Sequence, residues 1–313
     1  MHKLLLRLAQ RLPLEFRVLY GQFLLRIVDL EALSIEADVP RFLGQFAGLL
    51  ILFSLMQALG AFFAFSIDPH PAPETLEGMT WHVEQAMIAR MMLVVGLIAV
   101  FTWDSTFPDR RDALVLGPLP INARTILAAK VAASAAILGL ALVSLNFASA
   151  VAWPLVLSGF PGVLRLCPAC WLAMAAATLF LNASVLTVQG VTSLVLPRAL
   201  FLRLSALLQI AAFILFPAAF FLLPSLDSPA IMAAPENHSL VAAWPTYWFF
   251  ALLQQLGGTL PAALDWLALR AWIALAATTA GAGVSLLLCY RHTMRKTVEQ
   301  PDLVPAARGL VWR

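Results

Sequence analysis

Six long apolar blocks run through the sequence, and they constrain the fold more than any motif does. They cover residues 43–65, 83–103, 128–153, 167–196, 204–223 and 267–290. A helix that crosses a bilayer needs about 20 mostly apolar residues, and each block is that long. Only 12% of the 313 residues are charged and the mean hydropathy is +0.87, whereas about a quarter of the residues in soluble domains carry charge. The chain is therefore predicted to be an integral membrane protein.

The secondary structure of the blocks follows from the lack of water inside a bilayer. Backbone polar groups there must bond within a helix or within a closed barrel. Continuous apolar blocks differ from the alternating ten-residue pattern of barrel strands. The predicted fold is all-α, with six transmembrane helices in a domain over 43–290, a preceding region 1–42 and a tail 291–313.

The basic residues predict how the helices are oriented. Lys and Arg accumulate in cytoplasmic loops, and with six crossings 17 of the 20 basic residues fall on one side; only Arg90, Arg165 and Arg270 do not. Both termini are predicted to be cytoplasmic, in a bacterial inner (plasma) membrane. The basic residues are spread singly between apolar blocks, so nucleic acid is not a predicted partner, whereas membrane lipids are.

Two further segments are apolar but unsuited to crossing. Between residues 14 and 33, Glu15, Gln22, Arg26 and Asp29 recur at helical spacing among apolar residues, which favours a helix lying in the membrane interface. The alternative, an extension of the first crossing, is disfavoured because "SIEADVP" interrupts it. Inside the loop 224–266, "WPTYWFFALLQQLGG" is too short to span and is typical either of a re-entrant or interfacial segment or of a short surface helix packed on the bundle.

Signatures of nucleotide, metal or hydrolase chemistry are absent from the sequence. It contains no G-x-x-x-x-G-K-[ST] loop, no G-x-S-x-G and no H-E-x-x-H, and its five histidines fall in loops or tails. We therefore expect no ATPase activity, no catalytic residues, no cofactor and no metal on this chain. The "CPAC" at 167–170 could form a disulfide or bind a metal, but a single C-x-x-C is a weak signal.

Polar residues inside the crossings are costly and each needs a role. Arg90, close to one end of the second block, either lines a substrate path or pairs with Glu84 or extends to the interface. Asn182 and Gln189 are seven residues apart on one face of the fourth crossing, where they either line a path or hydrogen-bond to neighbouring helices. These three are the candidate pathway residues.

The loop 104–127 between the second and third crossings is the most distinctive stretch, and residues 107–130 read "FPDRRDALVLGPLPINARTILAAK". Asp109, Arg110, Arg111 and Asp112 form a mixed-charge patch suited to binding a protein. Gly117, Pro118 and Pro120 then predict a turn and a short helix that carries Asn122, Arg124 and Thr125, before Lys130 marks the start of the third crossing. The alternative is an ordinary cytoplasmic loop with a tight turn.

This order of elements resembles the membrane domain of a type-2 ATP-binding cassette (ABC) transporter. Leu119, Pro120, Arg124 and Lys130 carry the resemblance, together with the preceding "FPDRRD". It implies an exporter permease that pairs with a second permease, as a homodimer or otherwise, and with a P-loop ATPase that holds ATP and Mg²⁺. The implied coupling residues, which would seat in a cleft of the ATPase, are Asp109, Arg110, Arg111, Asp112, Leu119, Pro120, Arg124 and Lys130.

Two other functions remain open from the sequence. One is a membrane-embedded enzyme that acts on lipids or glycans with Arg90 in its site, and the other is a non-transporting scaffold. The identity of a substrate is not predicted.

Overall fold

The computed structural model describes residues 13–28, 39–67, 73–103, 122–224, 226 and 228–299, and this part of the chain is helical with short connections. The long helices are α1 (Leu14–Val28), α2 (Val39–Ile67), α3 (Pro73–Phe101), α4 (Ala123–Asn146), α5 (Ser149–Val195) and α6 (Arg198–Phe221). They are followed by α7 (Pro229–Ala233), α8 (His238–Ala243), α9 (Pro245–Gly257) and α10 (Asp265–Glu299), with 3₁₀ turns at Pro235–Asn237 and Ala262–Leu264. The predicted all-α class is confirmed.

Six of the described helical stretches are long and apolar enough to cross a membrane. They are Leu43–Gly60, Leu76–Phe101, Arg124–Leu157, Gly162–Val195, Arg203–Phe221 and Ala262–Cys289. Their number and order match the prediction. The second begins at residue 76 rather than 83, because Glu77 and Glu84 interrupt the apolar pattern of its first turns in the sequence. In the structure Glu77 is exposed, whereas Glu84 is buried against neighbouring helices.

The third and fourth crossings are joined by a single residue. The sequence predicted a connector between residues 153 and 167, but α5 is helical on both sides of Gly159, which alone departs from helical geometry with φ 62° and ψ −169°. Only glycine adopts that conformation without strain. A straight helix of 47 residues would be about 70 Å long, so this break is what lets both halves of α5 lie within one bundle.

We expect Gly159→Ala to lower the thermal unfolding midpoint of the detergent-solubilised protein. A Cβ atom at this backbone conformation costs on the order of 1–3 kcal/mol. Gly139→Ala is the matched control, because Gly139 is helical and no neighbouring side chain lies within 4 Å of the position that a Cβ atom would take, and alanine is the better helix former. Equal midpoints for the two variants would contradict the role assigned to Gly159.

The core lies where α5 meets α3, α9 and α10. Helix α9 is enclosed rather than placed on the surface: the side chains of Tyr247, Phe249, Phe250 and Leu252 have no exposed area, and the Phe250 ring meets that of Trp81 with centroids 4.9 Å apart. The crossing segments of α2 and α6 are the least enclosed, with 11% and 6% of their residues buried. Most of the surface of these two helices is therefore left for lipid or for another chain.

Helix α1 packs against the start of α4. Leu19 and Phe23 are buried against Ile126, Ala129 and Ala133. The prediction extended this helix to residue 33; α1 ends at Val28 and residues 29–38 lie outside the described part. Leu14 and Val18, which are 69% and 54% exposed, leave a second apolar strip on α1 that does not contact α4.

Candidate functional site

A buried carboxylate lies at the centre of a polar cluster that joins three helices. Glu84 of α3 is 4% exposed, and both its oxygens accept hydrogen bonds. Trp153 Nε1 of α5 donates to Oε1 at 3.1 Å, and Gln254 Nε2 of α9 donates to Oε2 at 2.6 Å. The Thr259 hydroxyl donates in turn to the side-chain oxygen of Gln254. We call these four residues the Glu84 cluster.

The end of α9 is shaped by its sequence so that Gln254 can take part in this cluster. Gly258 is left-handed, with φ 71°, and its N–H bonds to the carbonyl of Gln255, while the N–H of Thr259 bonds to that of Gln254. This pair of bonds is the Schellman ending that glycine after a helix favours. A Cβ at position 258 would also collide with the guanidinium of Arg165. Helix α9 therefore ends at Gly257.

The Glu84 cluster is suited to holding helices together. Its carboxylate is enclosed, and each of its oxygens accepts a hydrogen bond from a neutral donor on another helix. In membranes, polar side chains that bond across helices help to fix their packing. The cluster therefore ties α9 to α3 and α5.

Arg90 does not pair with Glu84. The two residues are six apart on α3, which places them about 120° apart around the helix. Arg90 is half-buried in the central part of the segment Leu76–Phe101, not close to its end, and its Nε atom has no hydrogen-bond partner among the described residues. A cation at such a position is costly in a bilayer unless it meets water, a ligand or another chain.

Gln189 binds backbone rather than lining a path within the described chain. It is 3% exposed, and its Nε2 donates to the carbonyl of Trp103 at 2.7 Å. This bond between helices is the second of the two roles predicted for it. Asn182 lies on the same helix and is half-buried, so the two residues do not share one environment.

The C-terminal end of α3 is held by side chains from two other helices. Besides the bond from Gln189, the Trp103 indole donates to the Ser205 hydroxyl at 2.8 Å, and Gln209 donates to the carbonyl of Val100 at 3.0 Å. We call Val100, Trp103, Gln189, Ser205 and Gln209 the α3 anchor. Sequence reasoning missed Trp103, Ser205 and Gln209, which carry no motif and meet only when α3, α5 and α6 pack together.

The residues expected to contact a partner lie only in part within the described chain. Asp109, Arg110, Arg111, Asp112, Leu119 and Pro120 are outside it. Arg124 is exposed in the first turn of α4, as a coupling residue should be. Residues 123–125 continue directly into α4 instead of forming a separate short helix, because "ARTILAAK" contains no glycine or proline to end it.

Lys130, which was predicted to mark the start of the third crossing and to couple to an ATPase, is buried in the structure. It is 2% exposed, and its ammonium lies over the ring of Phe23, 5.1 Å from the centroid, where α1 covers α4. Cation–π contact and burial of the aliphatic stem explain how the pair forms. Lys130 therefore links the start of α4 to α1, and its side chain is not on an open surface.

An apolar cavity of about 530 Å³ lies between α3, α5, α6 and the start of α9. Ala89 and Met92 of α3, Phe180 and Val188 of α5, and Leu215 of α6 contribute to its wall. Its size falls in the range of about 300–1,000 Å³ that is usual for small-ligand pockets.

No group of three His, Cys, Asp or Glu side chains in the described part of the chain could hold a metal ion. Cys167 and Cys170 carry free thiols, so the structure does not join them in a disulfide.

No protein-family model, no curated protein and no solved structure matches this chain. Its function must therefore be inferred from its own residues.

Proposed function

We propose that this chain is the permease subunit of an ABC exporter in a bacterial inner membrane, with both termini in the cytoplasm. It pairs with a second permease and with a separate P-loop ATPase that binds ATP and Mg²⁺. The observation that supports this best is the α3 anchor. It fixes the residue, Trp103, from which the loop 104–121 departs.

A loop that transmits force must be firmly attached at both ends. At its start, Trp103 is bonded to α5 and α6. At its far end, the first turns of α4 are covered by α1 through Lys130 and Phe23. Displacement of the loop by a partner ATPase would therefore move α1, α3, α4, α5 and α6 together, as a rigid-body switch requires.

Helix α2 suits the pairing of two permeases, because its crossing segment buries little against the rest of the chain. Among the described residues, the Nε atom of Arg90 has no hydrogen-bond partner. Arg90 lies on a face of α3 that it shares with the half-buried Leu97 and the exposed Phe101. In our proposal this face lines the pathway between the two copies, where water or an anionic group of the substrate meets Arg90.

The short helices complete the proposed membrane arrangement. Helix α9 is too short to cross, yet the Thr246 hydroxyl near its start meets the sulfur of Met92 in the middle of α3, while Gln254 near its end reaches Glu84. We propose that α7 to α9 form the re-entrant segment and that α1 lies in the membrane interface with Leu14 and Val18 toward lipid.

Loss of one anchor bond should weaken coupling without unfolding the protein. Gln189→Met keeps the length of the side chain but cannot donate to Trp103, and a hydrogen bond between membrane helices is worth about 0.6–1.7 kcal/mol. We expect the stimulation of ATP hydrolysis by the permease to fall roughly 3- to 16-fold in the reconstituted complex, because 1.4 kcal/mol corresponds to a factor of ten.

Thr192→Val is the matched control for Gln189→Met. Thr192 lies one turn further along α5, and its hydroxyl bonds only to carbonyls of its own helix. If the two variants stimulate hydrolysis equally, the anchor does not transmit coupling.

The proposed function itself is tested by isolating the chain from its native membrane. A P-loop ATPase should co-purify with it, and the hydrolysis rate of that ATPase should depend on the permease. If the chain is isolated without an ATPase and turns over a lipid or glycan by itself, the proposed export function is wrong. The chain would then be a membrane-embedded enzyme.

A further inference from the structure

We propose that the apolar cavity between α5 and α6 is a binding site for one acyl chain of a bilayer phospholipid. The proposal concerns a resident lipid within one copy of the chain, and it does not depend on the export function or on a partner ATPase.

The chemistry of the wall selects hydrocarbon. Four of the residues that line the cavity have polar side-chain groups, and every one of these already donates to the protein. Ser184 bonds to the carbonyl of Phe180 and Thr246 to the sulfur of Met92. Trp244 bonds to the carbonyl of Ala219, and Trp103 to Ser205. None of these side chains has a donor left for a polar ligand, so most of what an occupant gains is apolar contact.

The shape of the cavity fits a chain rather than a compact molecule. Its wall follows α6 from Leu208 to Phe220, a distance of about 18 Å at 1.5 Å per residue. One leaflet of a bilayer has about half of the 30 Å hydrocarbon thickness, so a single acyl chain spans a comparable length.

The cavity opens where the chain meets the membrane. Val188 and Leu215 line it, yet they are 45% and 61% exposed. The neighbouring Ile214 on α6 is 62% exposed, so the opening is continuous with an apolar surface on a crossing helix. The medium next to that opening is lipid hydrocarbon, and an acyl chain can enter without crossing a polar barrier.

The space exists because α6 is held at two levels and bears small side chains between them. At the first level, the Trp103 indole donates to Ser205 of α6, and Gln209 of α6 donates to the carbonyl of Val100. At the second level, Phe216 of α6 lies directly against Gly96, and Trp244 donates to the carbonyl of Ala219. Ala211 and Ala212 lie between these contacts and leave the gap to α5 unfilled. Side chains that line an unfilled gap lose dispersion contacts, and an acyl chain in the gap would supply those contacts.

The test uses the chain alone, reconstituted in vesicles of phosphatidylethanolamine that contain a trace of a phospholipid with a diazirine in one acyl chain. After irradiation, labelled peptides are mapped by mass spectrometry. We expect labelling of 180–188 and 208–220 to exceed that of the exposed α10 residues Leu287 and Leu288. Equal labelling of these two surfaces would overturn the site, because contact with bulk lipid alone would then account for it.

Filling the cavity should remove the lipid. Ala212→Trp places an indole in the cavity, and we expect labelling of its wall to fall about tenfold because a packed interior leaves no room for the chain. Ala206→Trp is the matched control on the same helix: Ala206 is exposed and does not line the cavity, so labelling should persist. Unchanged labelling in Ala212→Trp would refute the proposal.

A second variant protects the test against misfolding. Ala89→Leu fills the cavity from α3 with a smaller change, and it should lower the labelling while the thermal unfolding midpoint stays near that of the parent protein. If labelling is instead absent in the parent protein and Leu215→Cys forms a disulfide between two copies, a second copy occupies the opening and the lipid proposal is wrong.

Discussion

Replacement of Arg110 and Arg111 together by Glu is expected to abolish stimulation of the partner ATPase while the permease stays folded and inserted. If residues 109–130 contact an ATPase, their arginines form charge-assisted hydrogen bonds that leave water on binding. Loss of a desolvated interface arginine commonly costs about 2 kcal/mol or more, which weakens association roughly 30-fold. The measurement is ATP hydrolysis by the reconstituted complex, beside the thermal unfolding midpoint of the permease alone.

Arg203→Glu is the control for this double replacement, because it makes the same change of side chain at a position outside the stretch. Arg203 is exposed near the start of α6, on the side of the membrane to which the same basic-residue pattern assigns Arg110 and Arg111, but it lies outside the proposed coupling stretch. It should leave hydrolysis and co-purification unchanged. If hydrolysis and co-purification are unchanged in the double variant, the stretch 107–130 is an ordinary cytoplasmic loop. That result would favour a membrane-embedded enzyme or a non-transporting scaffold.

The crossings could be predicted from the sequence because the bilayer sets their length. Each crossing helix needs about 20 consecutive, mostly apolar residues, and such a block can be recognised in the sequence without knowing the rest of the fold. The boundaries were less accurate where charge interrupts a block, as at Glu77 and Glu84. The connector between the third and fourth crossings was predicted over residues 154–166, but its length was wrong: helix continues on both sides of Gly159, which alone leaves helical geometry.

The contacts between helices could not be predicted in the same way. Lys130 was expected to mark the start of a crossing and to couple to a partner, but burial under α1 depends on Phe23, more than 100 residues earlier. Gln189 was recognised as a polar residue in a crossing, whereas its acceptor is a backbone carbonyl, which every residue possesses. The cavity arises from small residues on different helices and has no local signature.

Glu84→Ala is expected to give the largest loss of stability among the single variants considered. It removes the acceptor of both Trp153 Nε1 and Gln254 Nε2, which are buried. A buried donor left without a partner costs about 1–3 kcal/mol, so two such donors destabilise the fold by roughly 2–6 kcal/mol. The thermal unfolding midpoint of the detergent-solubilised protein measures this loss. Glu77→Ala, on the same helix but exposed, should leave the midpoint unchanged.

Glu84→Gln distinguishes the two bonds from a simple effect of charge. The amide keeps one acceptor oxygen and turns an NH₂ group toward the second donor, so its midpoint should fall between those of the parent protein and Glu84→Ala. Because Gln254 also joins Thr259 at the end of α9, Glu84→Ala should expose residues 258–261 to limited proteolysis. A midpoint in Glu84→Ala equal to that in Glu77→Ala would show that the carboxylate does not hold α9, and the enclosed position of that helix would then depend on its aromatic contacts, such as that between Phe250 and Trp81.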